Sequence, residues 1–171
     1  MGRFMNHKKW VVVMALIATA LILTHLPVSE ADAAASASDF QIEGSTLTKY
    51  RGSDERVTIP DTVEVVGESA FENNQKVQLV VVPKSVKRMD AYVFWGCDNL
   101  EEVVLGKGLT SVDEYAFSGC TGLKQITIPE NVQSIDAQAF AGCTNLTDIY
   151  IPDTVTCLLY TSDAADDLTR V

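Results

Sequence analysis

An apolar-x-apolar-Pro motif recurs along this chain at a constant interval. It occurs with proline as VTIP at 57–60, VVVP at 80–83, ITIP at 126–129 and IYIP at 149–152, and once with glycine as VVLG at 103–106. The copies begin at 57, 80, 103, 126 and 149, so the period is 23 residues without an insertion. A constant period in this range predicts a solenoid, whose units bury their apolar side chains only by stacking on one another.

The other apolar positions of the repeat predict the core. With the first residue of each copy as position 1, the alternating pair at positions 1 and 3 predicts a short strand that ends at proline. Burial of one Phe or Leu contributes roughly 1.5–3 kcal/mol, so each coil depends on neighbours that cover it. Four further apolar positions are expected to point inward: position 7 (Val63, Val86, Leu109, Val132, Val155), position 10 (Val66, Met89, Val112, Ile135), position 15 (Phe71, Phe94, Phe117, Phe140) and position 21 (Val77, Leu100, Leu123, Leu146).

Position 11 carries Asp90, Asp113 and Asp136, with Gly67 in the first copy. An Asp just before a short turn that contains Ala-Phe predicts a helix N-cap, whose carboxylate accepts hydrogen bonds from the free N–H groups of that turn. A row of carboxylates that binds calcium is the alternative. The sequence lacks the Gly-rich pattern of calcium-binding repeats and Gly67 interrupts the row, so we expect caps and no metal site.

Position 18 carries Asn74, Cys97, Cys120 and Cys143. Cysteines in a secreted chain suggest disulfides, but these three leave one unpaired. Each follows a glycine at the same corner of the repeat, where a small buried side chain fits. We therefore expect free, buried thiols. Zinc is a further alternative, but ligands 23 residues apart lack the close pairing of a structural site.

The N-terminal segment has the features of a secretory signal peptide at residues 1–33. Basic residues precede an apolar run at 10–26, and small residues follow up to Ala33, the best match to a cleavage site, with further alanines nearby. An uncleaved membrane anchor is the alternative, because the run is close to the shortest length that spans a bilayer. We expect cleavage, and a secreted or cell-surface protein.

Residues 38–56 do not match the repeat. Phe40 and Ile42 alternate with polar residues, which predicts one or two short strands. Solenoids need atypical ends that cover the core of the terminal coil, so this segment is expected to be an N-terminal cap; a disordered linker is the alternative.

The fifth copy of the repeat starts properly and is lost after Val155. Asp163 stands where the repeat requires Phe, and residues from 157 onward resemble a translated sequencing adaptor. We expect a solenoid at 57–156, with four full repeats and the start of a fifth, and a non-native tail at 157–171 that hides the natural continuation. A divergent C-terminal cap is the alternative.

The segment IPENVQSIDAQAFAGCTNLTDIYIP at 128–152 and its sister copies resemble the BspA-like (Treponema pallidum type) leucine-rich repeats of bacterial surface proteins. The resemblance implies an α/β solenoid of 23-residue coils, with short parallel β-strands on one face and short helical or irregular returns on the other. It also implies a secreted or surface-attached protein that is associated with adhesion, and often one module of a longer chain.

Composition argues against several classes of function. The net charge of -10 disfavours nucleic acid and anionic membranes as partners. Both histidines, His7 and His25, lie in the expected signal segment, which weakens metal and general-base chemistry. The sequence has no G-x-S-x-G element and no Gly-rich phosphate loop. We therefore expect no enzyme, no catalytic residue and no cofactor.

The outward residues of the strands are the expected binding surface. Apolar side chains there either contact a ligand or reflect plain β-propensity. A second set of outward aromatics, Tyr92, Trp95 and Tyr115, lies on the returns. The predicted partner-binding residues are Leu79, Val81, Glu102, Val104, Gln125, Thr127 and Tyr150.

These features favour a non-catalytic surface protein of the adhesion type. We expect its partner to be a host, matrix or other cell-surface protein or a glycan, and the chain to be a monomer that meets a membrane only through its signal peptide during export. The alternative is a structural spacer that presents a missing C-terminal domain.

Overall fold

A computed structural model describes residues 35–136 and 138–158. The predicted signal peptide and the part of the predicted tail from residue 159 onward lie outside the described residues. None of the residues that the structure describes forms a helix with the length and hydropathy that a membrane span requires.

Two sheets run along the solenoid, and each full coil contributes one strand to each. The first is a five-stranded parallel sheet in the order β11-β9-β7-β5-β3. Its register repeats the sequence period, since Val57 pairs with Val80 and Val80 with Val103. Its strands are β3 (Arg56–Thr58), β5 (Leu79–Val81), β7 (Glu102–Val104), β9 (Gln125–Thr127) and β11 (Asp148–Tyr150). The strands predicted from the apolar pairs are therefore confirmed.

The second sheet was not predicted, because its strands are mostly two residues long and show no alternation. It has seven strands, in the order β1-β2-β4-β6-β8-β10-β12, and all its pairs are parallel except β1 with β2. Its strands are β1 (Phe40–Glu43), β2 (Thr46–Tyr50), β4 (Val65–Val66), β6 (Arg88–Met89), β8 (Ser111–Val112), β10 (Ser134–Ile135) and β12 (Cys157–Leu158).

A tight turn joins the two strands of each coil. In the first coil the N–H of Val63 donates to the carbonyl oxygen of Pro60 (3.0 Å), and the same bond recurs in every later coil. The proline ends the first strand because it has no N–H to donate. The turn then directs the side chain of position 7 into the core, where Val63 is fully buried.

The return segments are irregular and carry two left-handed residues per coil. Tyr92 (φ 59°) and Gly96 (φ 67°) occupy these places in the second coil. Between them, alternate N–H groups donate to carbonyls of the next coil: Tyr92 to Glu114 (3.1 Å), Phe94 to Ala116 (2.8 Å) and Gly96 to Ser118 (2.9 Å). The returns are thus held by a third ladder of hydrogen bonds between coils.

The prediction that Asp90 and Asp113 cap helices was wrong. The described ranges contain no α-helix and only one short 3-10 helix, Ala37–Asp39. The Asp90 carboxylate instead pairs with the Arg88 guanidinium (2.6 Å), and Asp113 accepts a hydrogen bond from the Ser111 hydroxyl (2.9 Å). A left-handed residue two positions later stops a helix from forming, so there is no helix N-terminus to cap.

Aromatic rings stack through the core. The Phe71, Phe94 and Phe117 rings are fully buried, and successive ring centroids are 5.0–5.3 Å apart along the column. Tyr50 continues this column, 5.1 Å from Phe71, and Phe140 ends it in a half-buried position. The inward ring predicted from the repeat is confirmed in the coils that have a neighbour on each side.

The N-terminal hairpin of β1 and β2 provides the strands that were expected between residues 38 and 56. Leu47 on β2 pairs in register with Val66 and is fully buried, as is its partner. Although the sequence of this segment does not match the repeat, its second half follows the path of a coil.

The cysteines at position 18 are free thiols, as predicted; Cys97 and Cys120 are buried, whereas Cys143 is half-buried. Each Sγ–H donates to the carbonyl oxygen of the Phe in the preceding coil, at 3.1 Å for Cys97 to Phe71 and for Cys120 to Phe94. Burial raises the pKa of the Cys97 thiol to about 12. Asn74 fills the same place in the first coil, where its side-chain oxygen accepts from the backbone N–H groups of Lys76 and Val77.

At the C-terminal end, β12 pairs with β10 in the register of the earlier coils, Ser134 with Cys157 and Ile135 with Leu158. The coil path therefore extends two residues beyond the boundary expected at 156.

Candidate functional site

The five-stranded sheet presents an outer face, which we call the binding face. In β3, β5, β7 and β9 the middle residue is buried and its two neighbours are half-buried or exposed. Successive side chains of a strand point to opposite sides of the sheet, so two columns line the binding face. They are Arg56, Leu79, Glu102, Gln125 and Asp148 in one column, and Thr58, Val81, Val104, Thr127 and Tyr150 in the other.

All seven residues predicted as partner-binding lie on this face. Leu79 is in register with Glu102, and Glu102 with Gln125; Thr127 is in register with Tyr150. Val104 and Tyr150 are 43% and 45% exposed, respectively. The structure thus brings the seven residues onto one surface.

The apolar residues of the binding face form a cluster rather than a stripe along the whole sheet. Leu79 and Val81 both point outward from β5, and Val104 on β7 lies directly beside Val81. Tyr150 is separated from Val104 by the polar strand β9, which places it about 10 Å away, because neighbouring strands are about 4.8 Å apart. We call Leu79, Val81 and Val104 the apolar cluster.

Charged side chains border the binding face. On one side Lys124 and Glu101 form an exposed ion pair (2.8 Å). On the other side the residue after each Pro or Gly of the motif is charged and exposed: Asp61, Lys84, Lys107, Glu130 and Asp153.

Glu130 belongs to the site and was missed from the sequence. The Tyr150 hydroxyl donates to Glu130 Oε1 (3.1 Å), and this hydrogen bond raises the pKa of Tyr150, with the charge of Glu130 adding to the effect. The bond fixes the ring of Tyr150 at the edge of the face. The sequence does carry a signal for this border, because the residue after the Pro or Gly of the motif is charged in every coil.

A surface depression of about 550 Å³ lies beside the binding face and is lined only by polar residues, including Thr110, Asn131 and Thr154. Each of these three side chains donates to a backbone carbonyl of the coil before its own, at Lys87, Lys107 and Val132, respectively. Their polar groups thus tie adjacent coils together. Among the described residues, no group of three His, Cys, Asp or Glu side chains is placed to hold a metal ion.

Parallel strands that repeat every 23 residues around one apolar core, with an extended outward face, define a leucine-rich repeat solenoid. A model of the BspA type leucine rich repeat region matches residues 45–162 in six copies. The chain belongs to this family. The match begins within the N-terminal hairpin and extends beyond residue 156, in agreement with the coil path of β2 and β12.

Solved structures of bacterial proteins share this fold. A leucine rich cell surface protein from Faecalibacterium prausnitzii is 30% identical, with a TM-score of 0.64 over 68% of this chain and 35% of that chain. The T. pallidum leucine rich repeat protein is 26% identical, with a TM-score of 0.72 over 75% of this chain and 65% of that chain. The pneumococcal vaccine antigen PcpA, at 18% identity, shares the fold alone, with a TM-score of 0.59 over 72% of this chain and 35% of that chain.

The chain therefore spans 35% of the F. prausnitzii protein and 65% of the T. pallidum protein. A comparison with curated proteins found no match. The F. prausnitzii protein is described as a cell surface protein.

Proposed function

We propose that this chain is a non-catalytic binding module of a bacterial surface protein, and that its binding face holds another protein or a glycan in an adhesion-type contact. The observation that carries the proposal is the apolar cluster. Leu79, Val81 and Val104 stand side by side on the solvent side of the sheet, with polar and charged residues around them. An apolar centre within a polar rim is the usual anatomy of a protein interface.

Strand propensity alone does not account for the cluster. Val is favoured in any strand, but Leu is not among the residues enriched there. Strand β3 shows that the fold accepts polar residues at the two outward positions of a strand, because Arg56 and Thr58 occupy them there. Strand propensity thus leaves Leu79 unexplained, and contact with a partner would account for all three residues of the apolar cluster.

The proposal includes export of the chain to the cell surface. Residues 1–33 have the sequence features of an export signal, and a cell-surface protein is among the similar structures. We propose that the exported chain is a monomer whose partner is a host, matrix or other cell-surface protein or glycan.

The test is a binding screen with the purified chain against immobilised matrix proteins, intact host and bacterial cells, and a glycan array. We expect at least one of these to bind the wild-type chain. The variant Val81→Lys/Val104→Lys/Tyr150→Lys should reduce that binding by about tenfold or more, because charges replace two residues of the apolar cluster and the exposed tyrosine on the same face. Circular dichroism should remain unchanged, since all three side chains point outward.

A matched control places charges on the second sheet. Val65→Lys and Ser134→Lys alter half-buried outward residues of β4 and β10, and they should leave binding intact. Equal binding by the triple variant and the wild-type chain, or no binding by the wild-type chain to any surface, would favour a structural spacer that presents another domain.

A further inference from the structure

We propose a second binding surface on the return segments, formed by Tyr92, Trp95 and Tyr115, that takes an arginine- or lysine-rich segment of a partner protein. We call these three residues the aromatic ridge. It lies on the returns rather than on the binding face, so it does not depend on the function proposed above.

The ridge is a compact aromatic surface. Tyr92 and Tyr115 occupy the same repeat position in successive coils, and their rings stack with centroids 5.1 Å apart and 7° between the planes. Trp95 follows Tyr92 by three residues and is 39% exposed. The turn between them is closed by a hydrogen bond from the Trp95 N–H to the carbonyl oxygen of Tyr92 (3.1 Å), and an exposed Trp with two Tyr residues has the composition of an interface anchor.

The backbone does not require aromatic residues here. Tyr92 (φ 59°) and Tyr115 (φ 55°) are left-handed, a conformation that is unfavourable for bulky side chains. Ser69 (φ 56°) and Gln138 (φ 58°) adopt the same conformation in the adjacent coils. Since non-aromatic polar side chains serve the fold at this position, two large rings on a strained backbone point to a role in recognition.

Carboxylates lie near the two tyrosines of the ridge and define the partner's chemistry. Glu114 directly precedes Tyr115, and its carbonyl oxygen accepts a hydrogen bond from the Tyr92 N–H (3.1 Å). Glu68 and Glu114 are exposed. Burial raises the pKa of the Tyr92 hydroxyl, and the negative charges of Glu114 and Glu68 raise it further. Glu72 occupies the position of Trp95 in the preceding coil. The Lys49 ammonium donates to the carbonyl oxygen of Ser69 (2.7 Å), the residue that holds the repeat position of Tyr92 in the preceding coil.

Rings bordered by carboxylates are complementary to guanidinium and ammonium groups. Such a cation gains from contact with the face of a Trp or Tyr ring and from ion pairs with the carboxylates around it. Arginine fits both, because its planar group stacks on aromatic rings and bonds carboxylates in pairs. An extended basic segment would reach several of these groups along the coils.

The test measures fluorescence anisotropy of a labelled peptide of alternating Arg and Ser with the purified full chain. The expected result is saturable binding that weakens about tenfold or more in Tyr92→Ser/Trp95→Ser/Tyr115→Ser. Serine is the residue found at these repeat positions in Ser69 and Ser118, so the variant should fold. If it does not, the single change Trp95→Ser, at an exposed side chain, carries the same test.

Two controls separate the ridge from the general acidity of the chain. Glu68→Gln/Glu114→Gln should weaken binding, whereas Asp61→Asn/Glu64→Gln, which removes the same charge at the turn between β3 and β4, should change it by less than about twofold. A peptide with citrulline in place of Arg should not bind.

Three outcomes would overturn the proposal: equal weakening in both carboxylate variants, binding of the citrulline peptide as tight as that of the Arg peptide, or retention of full affinity by the serine variant. Binding to a glycan array that depends on Trp95, without binding of the Arg peptide, would assign the ridge to carbohydrate instead. The lysine variants of the binding face leave the ridge intact, so they should still bind the Arg peptide. The proposal for the binding face and the proposal for the ridge can therefore fail independently.

Discussion

Single residues at one repeat position occupy different electrostatic environments. Asp90 is ion-paired with Arg88, whereas Asp113, one coil later, has a serine in place of that arginine. Burial raises the pKa of the Asp113 carboxyl, the hydrogen bond from Ser111 opposes this, and the carboxylates of Asp136 and Asp90 on the neighbouring coils add to the rise. Proton binding by Asp113 is therefore tighter in the folded protein than in the unfolded chain.

We predict that Asp113→Asn raises the melting temperature at pH 7. The ionised carboxylate destabilises the fold at neutral pH, and this destabilisation disappears as the pH falls through the raised pKa toward the ordinary value. The advantage of the variant should thus shrink in acid, while the amide oxygen still accepts the hydrogen bond from Ser111. Thermal unfolding followed by circular dichroism from pH 7 to about pH 3 gives the measurement.

The matched control for this prediction is Asp90→Asn. It removes the same charge but also an exposed ion pair of about 0–1 kcal/mol, so its melting temperature should stay the same or fall. An equal rise for both variants would show that relief of net negative charge, and not the environment of Asp113, is responsible.

Each coil has two left-handed residues, and the sequence reveals the positive φ of only one of them. Gly96, Gly119 and Gly142 share one repeat position with Asn73, and Gly with Asn is a readable sign of positive φ. The other left-handed position carries Ser, Tyr, Tyr and Gln, none of which signals it. The false prediction of helix caps follows from that hidden position, since the motif Asp-x-x-Ala-Phe otherwise reads as a helix start.

Among the structural elements, strand length decided what could be predicted. The three-residue strands alternate and end at proline, so the binding face and its outward residues were readable. The two-residue strands of the second sheet have no alternation, and they form because the coil before and the coil after supply their partners. Glu130 was missed for a related reason: its contact with Tyr150 joins residues 20 positions apart and depends on how two coils are offset.

The third coil departs from the repeat by replacing proline with Gly106, and the structure gives the reason. A side-chain carbon at Gly106 would collide with the carbonyl oxygen of Pro83, 2.5 Å from its carbonyl carbon and 2.7 Å from the backbone nitrogen of Lys84. All three atoms are backbone atoms, which cannot move aside cheaply. The glycine thus allows two coils to approach closely.

We predict that Gly106→Pro destabilises the protein, although it restores the motif of the other copies. Overpacking of this kind costs about 1–3 kcal/mol, which urea unfolding followed by circular dichroism would measure. The reverse change at the same position of another coil, Pro60→Gly, should cost only about 0.4–1 kcal/mol through the entropy of the unfolded chain. A more stable Gly106→Pro protein would contradict the close approach of the coils.

At the scale of the whole molecule, stability is a sum over coils and the contacts between neighbours. The position 1 residues Val57, Val80, Val103 and Ile126 are buried, but Ile149 on β11 is 42% exposed. Phe140 is likewise half-buried, while Phe94 is fully covered. Within the described ranges, β11 is an edge strand of its sheet, so this end of the solenoid gains contacts from one side only.

We predict from this asymmetry that the same substitution has different effects along one column. Phe94 lies between Phe71 (5.0 Å) and Phe117 (5.3 Å), so Phe94→Ala should cost about 3–5 kcal/mol. Phe140→Ala should cost clearly less, because the ring is already partly in water and the last coil can open alone. Urea unfolding of both variants measures the two losses of stability. In native-state hydrogen exchange of the wild-type chain, amides of the last coil should exchange through local opening, and those around Phe94 only through global unfolding. Equal losses in the two variants, with uniform protection along the chain, would mean that the solenoid unfolds as one cooperative unit.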